Sequence, residues 1–403
     1  MNSGDTAWVL TASALVLLMT IPGLAFFYGG LVRRKNVLSI LMQCFIIVCV
    51  ISLQWVLFGY SLAFGPDFHG IIGTLEWAGL AGVGAAPNSN YAATIPHSAF
   101  MIFQAMFAVI TPALIIGAYA ERVKFPAFLL FTVLWATFVY DPLAHWVWGA
   151  GGWLKSLGGL DFAGGIVVHV SSGISALVLA LLLGKRVGYN HKPIRPHNLP
   201  FTVLGAALLW FGWFGFNAGS ALGANEIATL AFFTTQAATG AAALSWILAE
   251  KIARDKPTTL GAVSGAVAGL VAITPAAGFV GPVSAVVIGF TAGILCYLAV
   301  LLKERLGYDD SLDVVAVHGI GGLWGALATG LFASVGATGL FFGNARQFVV
   351  QIIGASSAIV YSAIVTTVIL LALKYTVGLR VSEEDEIQGL DVSQHNETGY
   401  AIR

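Results

Sequence analysis

Charge is what this sequence has least of. Asp, Glu, Lys and Arg together make up 9% of its 403 residues, while 58% are hydrophobic. A water-soluble domain carries about 25% charged residues, so this set cannot cover a water-facing surface. Neither sign is in excess, since 19 basic residues balance 19 acidic ones. That balance gives no electrostatic footprint for nucleic acid and none for an acidic partner surface. Cysteine is scarce too. Cys44, Cys49 and Cys296 all fall inside apolar segments with no metal-ligand spacing, and read as packing residues. No metal or cofactor is expected.

What the sequence has instead is long uncharged runs. A helix crosses a bilayer with about 20 apolar residues, and Thr6 to Val32 and Asn36 to Pro66 both exceed that. Pro257 to Leu302 is a 46-residue run without a charge, too long for one span. Its centre, Thr274-Pro275-Ala276-Ala277-Gly278 followed by Gly281-Pro282, is a turn signal that divides it in two. The runs are continuous rather than alternating, which excludes a β-barrel. The first is not read as a cleavable signal peptide, because no Lys or Arg precedes it and it is too long for an h-region. The expected fold is an all-α integral membrane protein of eleven transmembrane helices. They are placed at about 6–32, 37–64, 97–120, 124–146, 162–184, 199–220, 227–249, 258–276, 282–302, 312–333 and 347–374.

The basic residues orient these spans. Arg33, Arg34 and Lys35 follow span 1, Arg122 and Lys124 span 3, and Lys185, Arg186, Lys192 and Arg195 span 5. Lys251, Arg254 and Lys256 follow span 7, Lys303 and Arg305 span 9, and Lys374, Arg380 and Arg403 span 11. Only Lys155 and Arg346 fall on the other face. The positive-inside rule then puts the N-terminus outside and the C-terminus in the cytoplasm. Residues 1–377 form the membrane domain, and 378–403 a cytoplasmic tail, acidic at Glu383-Glu384-Asp385-Glu386 and expected to be solvated and partly mobile.

Two segments echo each other. Asp161 is followed by His169, Gly173 and Ile174, and Asp310 by His318, Gly322 and Leu323, both reading Asp-x7-His-x3-Gly-[Ile/Leu]. One opens span 5 and the other span 10. A period of five spans is odd, so the second half runs opposite to the first. This is an inverted repeat, with halves at about 1–184 and 199–333 and an extra helix at about 347–374. Each histidine lies eight residues into its segment, about 12 Å deep at 1.5 Å per residue. In a hydrocarbon core about 30 Å thick the two arrive near the midplane from opposite faces. A single intramembrane histidine is as readily a packing residue as a functional one; a symmetry-related pair favours function. The remaining histidines lie in loops or the tail (His69, His191, His197, His395) or near outer span ends (His97, His145), and read as structural.

Two midplane imidazoles with few other ionisable groups suit a small substrate that exchanges protons. A zinc site brings about four ligands, and no His, Cys or carboxylate cluster accompanies this pair. Nor is there a nucleophile–base constellation, so the chain is not read as an enzyme. The 48 glycines allow helices to pack closely around a narrow pore. Aromatics gather toward the outer side at Trp146, Trp148, Trp153, Trp213, Phe214 and Phe216. Composition leaves two explanations open, an interfacial belt and a cation–π cradle for a small cation.

Several motifs at these positions carry a resemblance. They are Phe26-Phe27-Tyr28-Gly29-Gly30-Leu31-Val32-Arg33, Phe103-Gln104-Ala105-Met106-Phe107-Ala108, Asp161-Phe162-Ala163-Gly164-Gly165 through His169, Gly212-Trp213-Phe214-Gly215-Phe216-Asn217-Ala218-Gly219-Ser220 and Asp313-Val314-Val315-Ala316-Val317-His318-Gly319. Over nearly its whole length the chain resembles the ammonium transporter family (Amt, related to the Rh proteins), on the Amt branch. The resemblance implies a homotrimer in the cell (inner or plasma) membrane with one pore per subunit, taking up ammonium or ammonia. It implies that Trp148, Phe107 and Ser220 form an outer recruitment site, with Asp161 behind it favouring a cation. It further implies that Phe107 and Phe216 gate the pore and that His169 and His318 line a hydrophobic conduit below. No position departs from the pattern. The tail from Gly378 to Asp391 resembles the family's cytoplasmic C-terminal region, which helps receive a PII-type regulatory protein.

A bare ammonium ion at the bilayer centre is costly, whereas an imidazole pair can take or relay a proton while neutral ammonia crosses. Two alternatives remain open. One is an electroneutral Rh-type channel, against which Trp148 and Ser220 argue. The other is an ammonium sensor, of a kind that often carries a signalling domain after the tail, where this sequence shows none.

Overall fold

The computed structural model describes residues 1–189, 191 and 194–400. Lys192 and Arg403, two of the basic residues assigned to one face, lie outside the described residues. The chain runs through α1 (Ser3–Leu31), α2 (Arg34–Phe64), α3 (His97–Tyr119), α4 (Phe125–Leu157), α5 (Gly165–Leu183), α6 (Leu199–Gly219), α7 (Glu226–Arg254), α8 (Thr259–Ile273), α9 (Pro282–Leu306), α10 (Val315–Phe332) and α11 (Ala345–Thr376). Among the described residues ten of these are long and apolar enough to cross a membrane; α8 is the shorter one. Its fifteen residues reach about 22 Å, less than a hydrocarbon core of about 30 Å. The span expected over 258–276 therefore stops early. Pro275 has no amide to donate, and Thr274 to Ala277 continue as a buried turn in which Ala276 N donates to Ile273 O at 2.9 Å.

The packing repeats with a shift of five helices. α1 lies against α3 as α6 lies against α8, and α3 against α5 as α8 against α10. The halves meet where α1 packs on α6 and α5 on α10, while α11 covers α5 and α10. At the second junction Gly173 faces Gly319 while Gly322 faces Gly165 and His169. Numbers rising along one helix meet numbers falling along the other, so α5 and α10 are antiparallel. A Cβ at Gly173 would overlap the Gly319 backbone; glycine at this point lets the two histidine-bearing helices touch main chain to main chain.

One face is held by charge. Glu121, after α3, is 1% exposed and accepts from Arg33 N (2.7 Å), Arg33 Nε (2.9 Å), Asn36 Nδ2 (2.9 Å) and Arg186 Nη1 (3.1 Å). Arg186 also clasps Asp309 through Nε (2.9 Å) and Nη2 (2.8 Å). The chain ends that follow α1, α3, α5 and α9 thus share one ion network. Burial would raise the Glu121 carboxyl, but Arg186 and Arg33 hold it below the usual range.

The tail joins this face instead of floating free, which corrects the expectation of a solvated terminus. Lys124 N donates to Leu379 O at 2.9 Å and Val381 N to Arg122 O at 3.1 Å, pairing residues 122–124 with 379–381. Two short helices follow, α12 (Glu383–Gln388) and α13 (Leu390–His395). Glu386, although part of the acidic run, is 1% exposed and accepts from Val187 N (2.6 Å) and Arg380 Nη2 (2.7 Å). Asp391 accepts from Ser39 N at 2.8 Å. Within the acidic run Glu386 thus gives a partner to the Val187 amide and to the half-buried Arg380 guanidinium. Below, this is the tail face and the opposite one the far face.

Candidate functional site

Two cavities approach one histidine pair from opposite faces. The far-face cavity, about 180 Å³, is lined by Tyr91, Gln104, Phe107, Trp148, Lys155 and Ser220 among others. Four parts of the chain bring these together: the loop before α3, α3 itself, the last part of α4, and the turn after α6. Phe107 forms its floor. The Trp148 ring meets Phe107 edge to face, with centroids 5.9 Å apart, and its Nε1 donates to Asp161 O at 2.8 Å. Ser220, just past the end of α6, donates its hydroxyl to Phe216 O at 2.9 Å, which leaves its oxygen lone pairs available. Gln104 Oε1 is buried without a partner. A polar acceptor in that state is costly unless a donor visits it.

Beneath the floor, Phe107 and Phe216 overlap with centroids 4.3 Å apart at 32°, and both are buried. His169 lies next, its ring parallel to Trp213 at 5.5 Å and near Phe216 at 6.2 Å. His169 Nδ1 and His318 Nδ1 are 3.1 Å apart, so one nitrogen carries the proton and the other accepts it. This arrangement frees both Nε2 atoms for other partners, and His169 Nε2 is buried and unpartnered. On the other side the tail-face cavity, about 730 Å³, reaches His318 itself, with Tyr28, Val317 and Leu31 in its wall.

The local chain explains why the histidines meet. Both helices open on π-type turns, Gly165–Val170 in α5 and Val315–Ile320 in α10. Such turns occur often at functional sites. Asp161 secures the start of α5: Oδ1 accepts from Gly164 N (3.0 Å) and Gly165 N (2.6 Å), and Oδ2 from Ile166 N (2.8 Å) and Val167 N (3.1 Å). Gly164 adopts φ 111° to allow this, a conformation that favours glycine. Four donors saturate the carboxylate, so Asp161 is the anionic cap of α5 standing behind Trp148 and makes no direct wall of the cavity.

The structure therefore gathers Phe107, Trp148 and Ser220 in one cavity, Phe107 and Phe216 at its base, and His169 with His318 below. Of the aromatics near the far face, Trp146 meets Trp153 and Tyr361 at a tilt, with centroids 5.6 and 4.7 Å away, and Phe214 lies on Phe232 at 3.9 Å. Those rings brace the scaffold. Trp213 instead sits on the histidine pair, with Nε1 donating to Thr274 Oγ1 at 2.9 Å. Sequence reading placed it among the outer aromatics and gave Gln104 no role. The spacing of Trp213, Phe216 and Ser220 at i, i+3 and i+7 puts the three on one helical face, a signal that could have found Trp213. His145 is held between Asp67 Oδ1 (2.9 Å) and Ala63 O (3.0 Å), and His97 meets the Tyr60 hydroxyl at 2.6 Å. Both belong to the framework. Among the described residues no group of three or more His, Cys, Asp or Glu is placed to hold a metal ion.

An apolar helical bundle with two cavities converging on a buried aromatic and imidazole core defines a multi-pass membrane transport protein for a small solute. The Ammonium Transporter Family model matches residues 7–400, and the chain belongs to that family. It is 55% identical over 406 residues to the ammonium transporter of Bacillus subtilis (strain 168), covering 99% of each chain. The crystal structure of Saccharomyces cerevisiae Mep2 is 40% identical with a TM-score of 0.90, over 95% of this chain and 88% of that one. A solved sensor Amt protein is 32% identical with a TM-score of 0.90, over 97% of this chain and 98% of that one.

Proposed function

We propose that this protein takes up ammonium by capturing the cation in the far-face cavity, removing its proton, and passing ammonia along the histidine pair to the tail-face cavity. The observation that carries this reading is the 3.1 Å contact between the two Nδ1 atoms, on the line between the cavities. Trp148 and Phe107 offer π-faces to the cation, while Ser220 and Gln104 offer oxygen acceptors for its protons. Asp161 adds negative charge behind Trp148. The overlapped Phe107 and Phe216 rings keep water out of the core until they part. Past them an intact cation would have to travel without its hydration shell, at a cost a proton relay avoids.

In this reading the tail face is cytoplasmic, the N-terminus is outside, and eleven segments cross the bilayer, α8 doing so together with the buried turn that follows it. Residues 1–377 carry the pore and 378–403 a regulatory tail. The protein is a homotrimer with one pore per subunit, and a PII-type protein docks on the tail face. The resemblance to the sensor Amt protein supports a second reading, in which the fold reports ammonium to a partner. Ammonium-evoked current in liposomes holding the purified protein tests the first. Current that saturates with ammonium is the expected result; neither current nor uptake would leave the sensor reading.

A further inference from the structure

We propose, on the reading of the far-face cavity as the recruitment site, that Lys155 sets how tightly that cavity holds a monovalent cation. The far-face loops are nearly free of basic side chains, with Lys155 and Arg346 the two assigned there. One of these stands at the mouth of the cavity that receives a cation.

Its position is built by the last part of α4, where the helix breaks after Trp148. After Trp148 the chain turns through Gly151, at φ 95°, into the short helical segment Trp153–Leu157. Trp153 N donates to Gly70 O at 3.0 Å and Leu154 is buried, which fixes the segment. Lys155 Nζ then donates to Trp148 O at 3.0 Å and lies 5.8 Å from the centroid of Tyr91. Tyr91, Trp148 and Lys155 all line the cavity. Among the described residues Lys155 has no salt-bridge partner. The carboxylate behind Trp148, Asp161, is already saturated by the four amides of α5.

The cavity thus carries a tethered primary ammonium, the same chemical group as its substrate, already using one carbonyl and one aromatic face. Its charge opposes a second cation. Two unit charges about 7 Å apart in a water-rich mouth repel enough to weaken binding about three- to eightfold. That repulsion sets the half-saturating concentration and makes it depend on ionic strength, while the steps beyond Phe107 are unaffected.

The test is the concentration dependence of labelled methylammonium uptake into proteoliposomes for wild type, Lys155→Arg, Lys155→Gln and Lys155→Glu, with Trp148→Leu alongside. At about 0.01 M salt, where the screening length is about 30 Å, Lys155→Gln should lower the half-saturating concentration about three- to eightfold. Lys155→Glu should lower it further, Lys155→Arg should match wild type, and the maximum rate should stay constant. At about 1 M salt, with a screening length of about 3 Å, the four curves should converge. An unchanged half-saturation in Lys155→Gln beside a shifted Trp148→Leu overturns the role of Lys155 alone. No shift in either overturns it together with the recruitment reading. A Lys155→Arg shift as large as that of Lys155→Gln would make the role one of fit, not charge.

Discussion

The two approaches to the histidine pair are built on one repeated motif and differ in how they treat a positive charge. On the far face Asp161 spends both oxygens on four amides at the start of α5, Gly164 to Val167, and among the described residues it makes no salt bridge. Its cavity ends at the rings of Phe107 and Phe216, above the histidines. On the tail face Asp310 caps α10 through Val315 N at 2.8 Å and has Lys303 at hand. The Lys303 ammonium donates to Asp310 O at 2.9 Å and to Asp313, and the larger cavity there reaches His318 directly. Sequence symmetry brings two carboxylates to the starts of two antiparallel helices. Local chemistry leaves the Asp161 carboxylate to amides alone, with Lys155 bonded to the Trp148 carbonyl, and sets Lys303 against the Asp310 carbonyl and Asp313. The same scaffold thereby gains two sides that differ in charge, which is what the proposed capture on one side and release on the other would use.

Removing each carboxylate breaks this comparison most sharply. Asp161→Ala should abolish ammonium uptake and Asp161→Glu retain part of it, because charge at the start of α5 is what the far side needs. Asp310→Ala should reduce uptake only partly, since Lys303 and Asp313 remain. Full uptake by the Asp161→Ala protein would remove the distinction between the two sides.

The ionic bracing of the tail face is sharpened next. Glu121→Gln leaves Arg33 and Arg186 short of a buried partner, and should cost about 3–5 kcal/mol, read as a lower unfolding temperature in detergent. Because Glu121 and Asp309 are held below their ordinary values in the folded protein, their stabilisation is complete above about pH 4.3. It is lost as the pH falls through the folded values. Wild type should lose more stability than Glu121→Gln on acidification below about pH 4; equal losses would show the network adds nothing.

The smallest effect concerns capture. Trp148→Leu fills space without a π-face and should raise the half-saturating ammonium concentration about two- to thirtyfold. An unchanged concentration dependence would return Trp148 to the interfacial belt.

Much of this was legible in the residues. Uncharged runs declared the membrane fold, and the doubled Asp-x7-His spacing foretold an imidazole pair, because helical rise converts sequence distance to depth. What stayed hidden depends on main-chain atoms and distant loops. The tail looks solvated by its acidic run, yet Glu386 and Asp391 are consumed by amides of residues 187 and 39. The Glu121–Arg186–Asp309 network joins three loops whose charges, taken one loop at a time, only mark a side. The early end of α8 needs the buried turn at Pro275, where Phe162 N finds its acceptor. Trp213 belonged visibly to an aromatic cluster; its helical face shared with Phe216 and Ser220 hinted at the pore, and its stacking on His169 separates it from the belt.

On the proposed function, the histidine pair lets a proton and ammonia through while refusing an intact metal cation. The most direct test is current carried by potassium alone across liposomes holding wild type, His169→Asp or His318→Glu. An acid in place of either imidazole puts a fixed charge into the dry core, draws in water, and opens a path for whole ions. Wild type should carry no potassium current and both variants a clear one, with lost preference for ammonium. Variants that still reject potassium while passing ammonium normally would contradict the account and return His169 and His318 to packing.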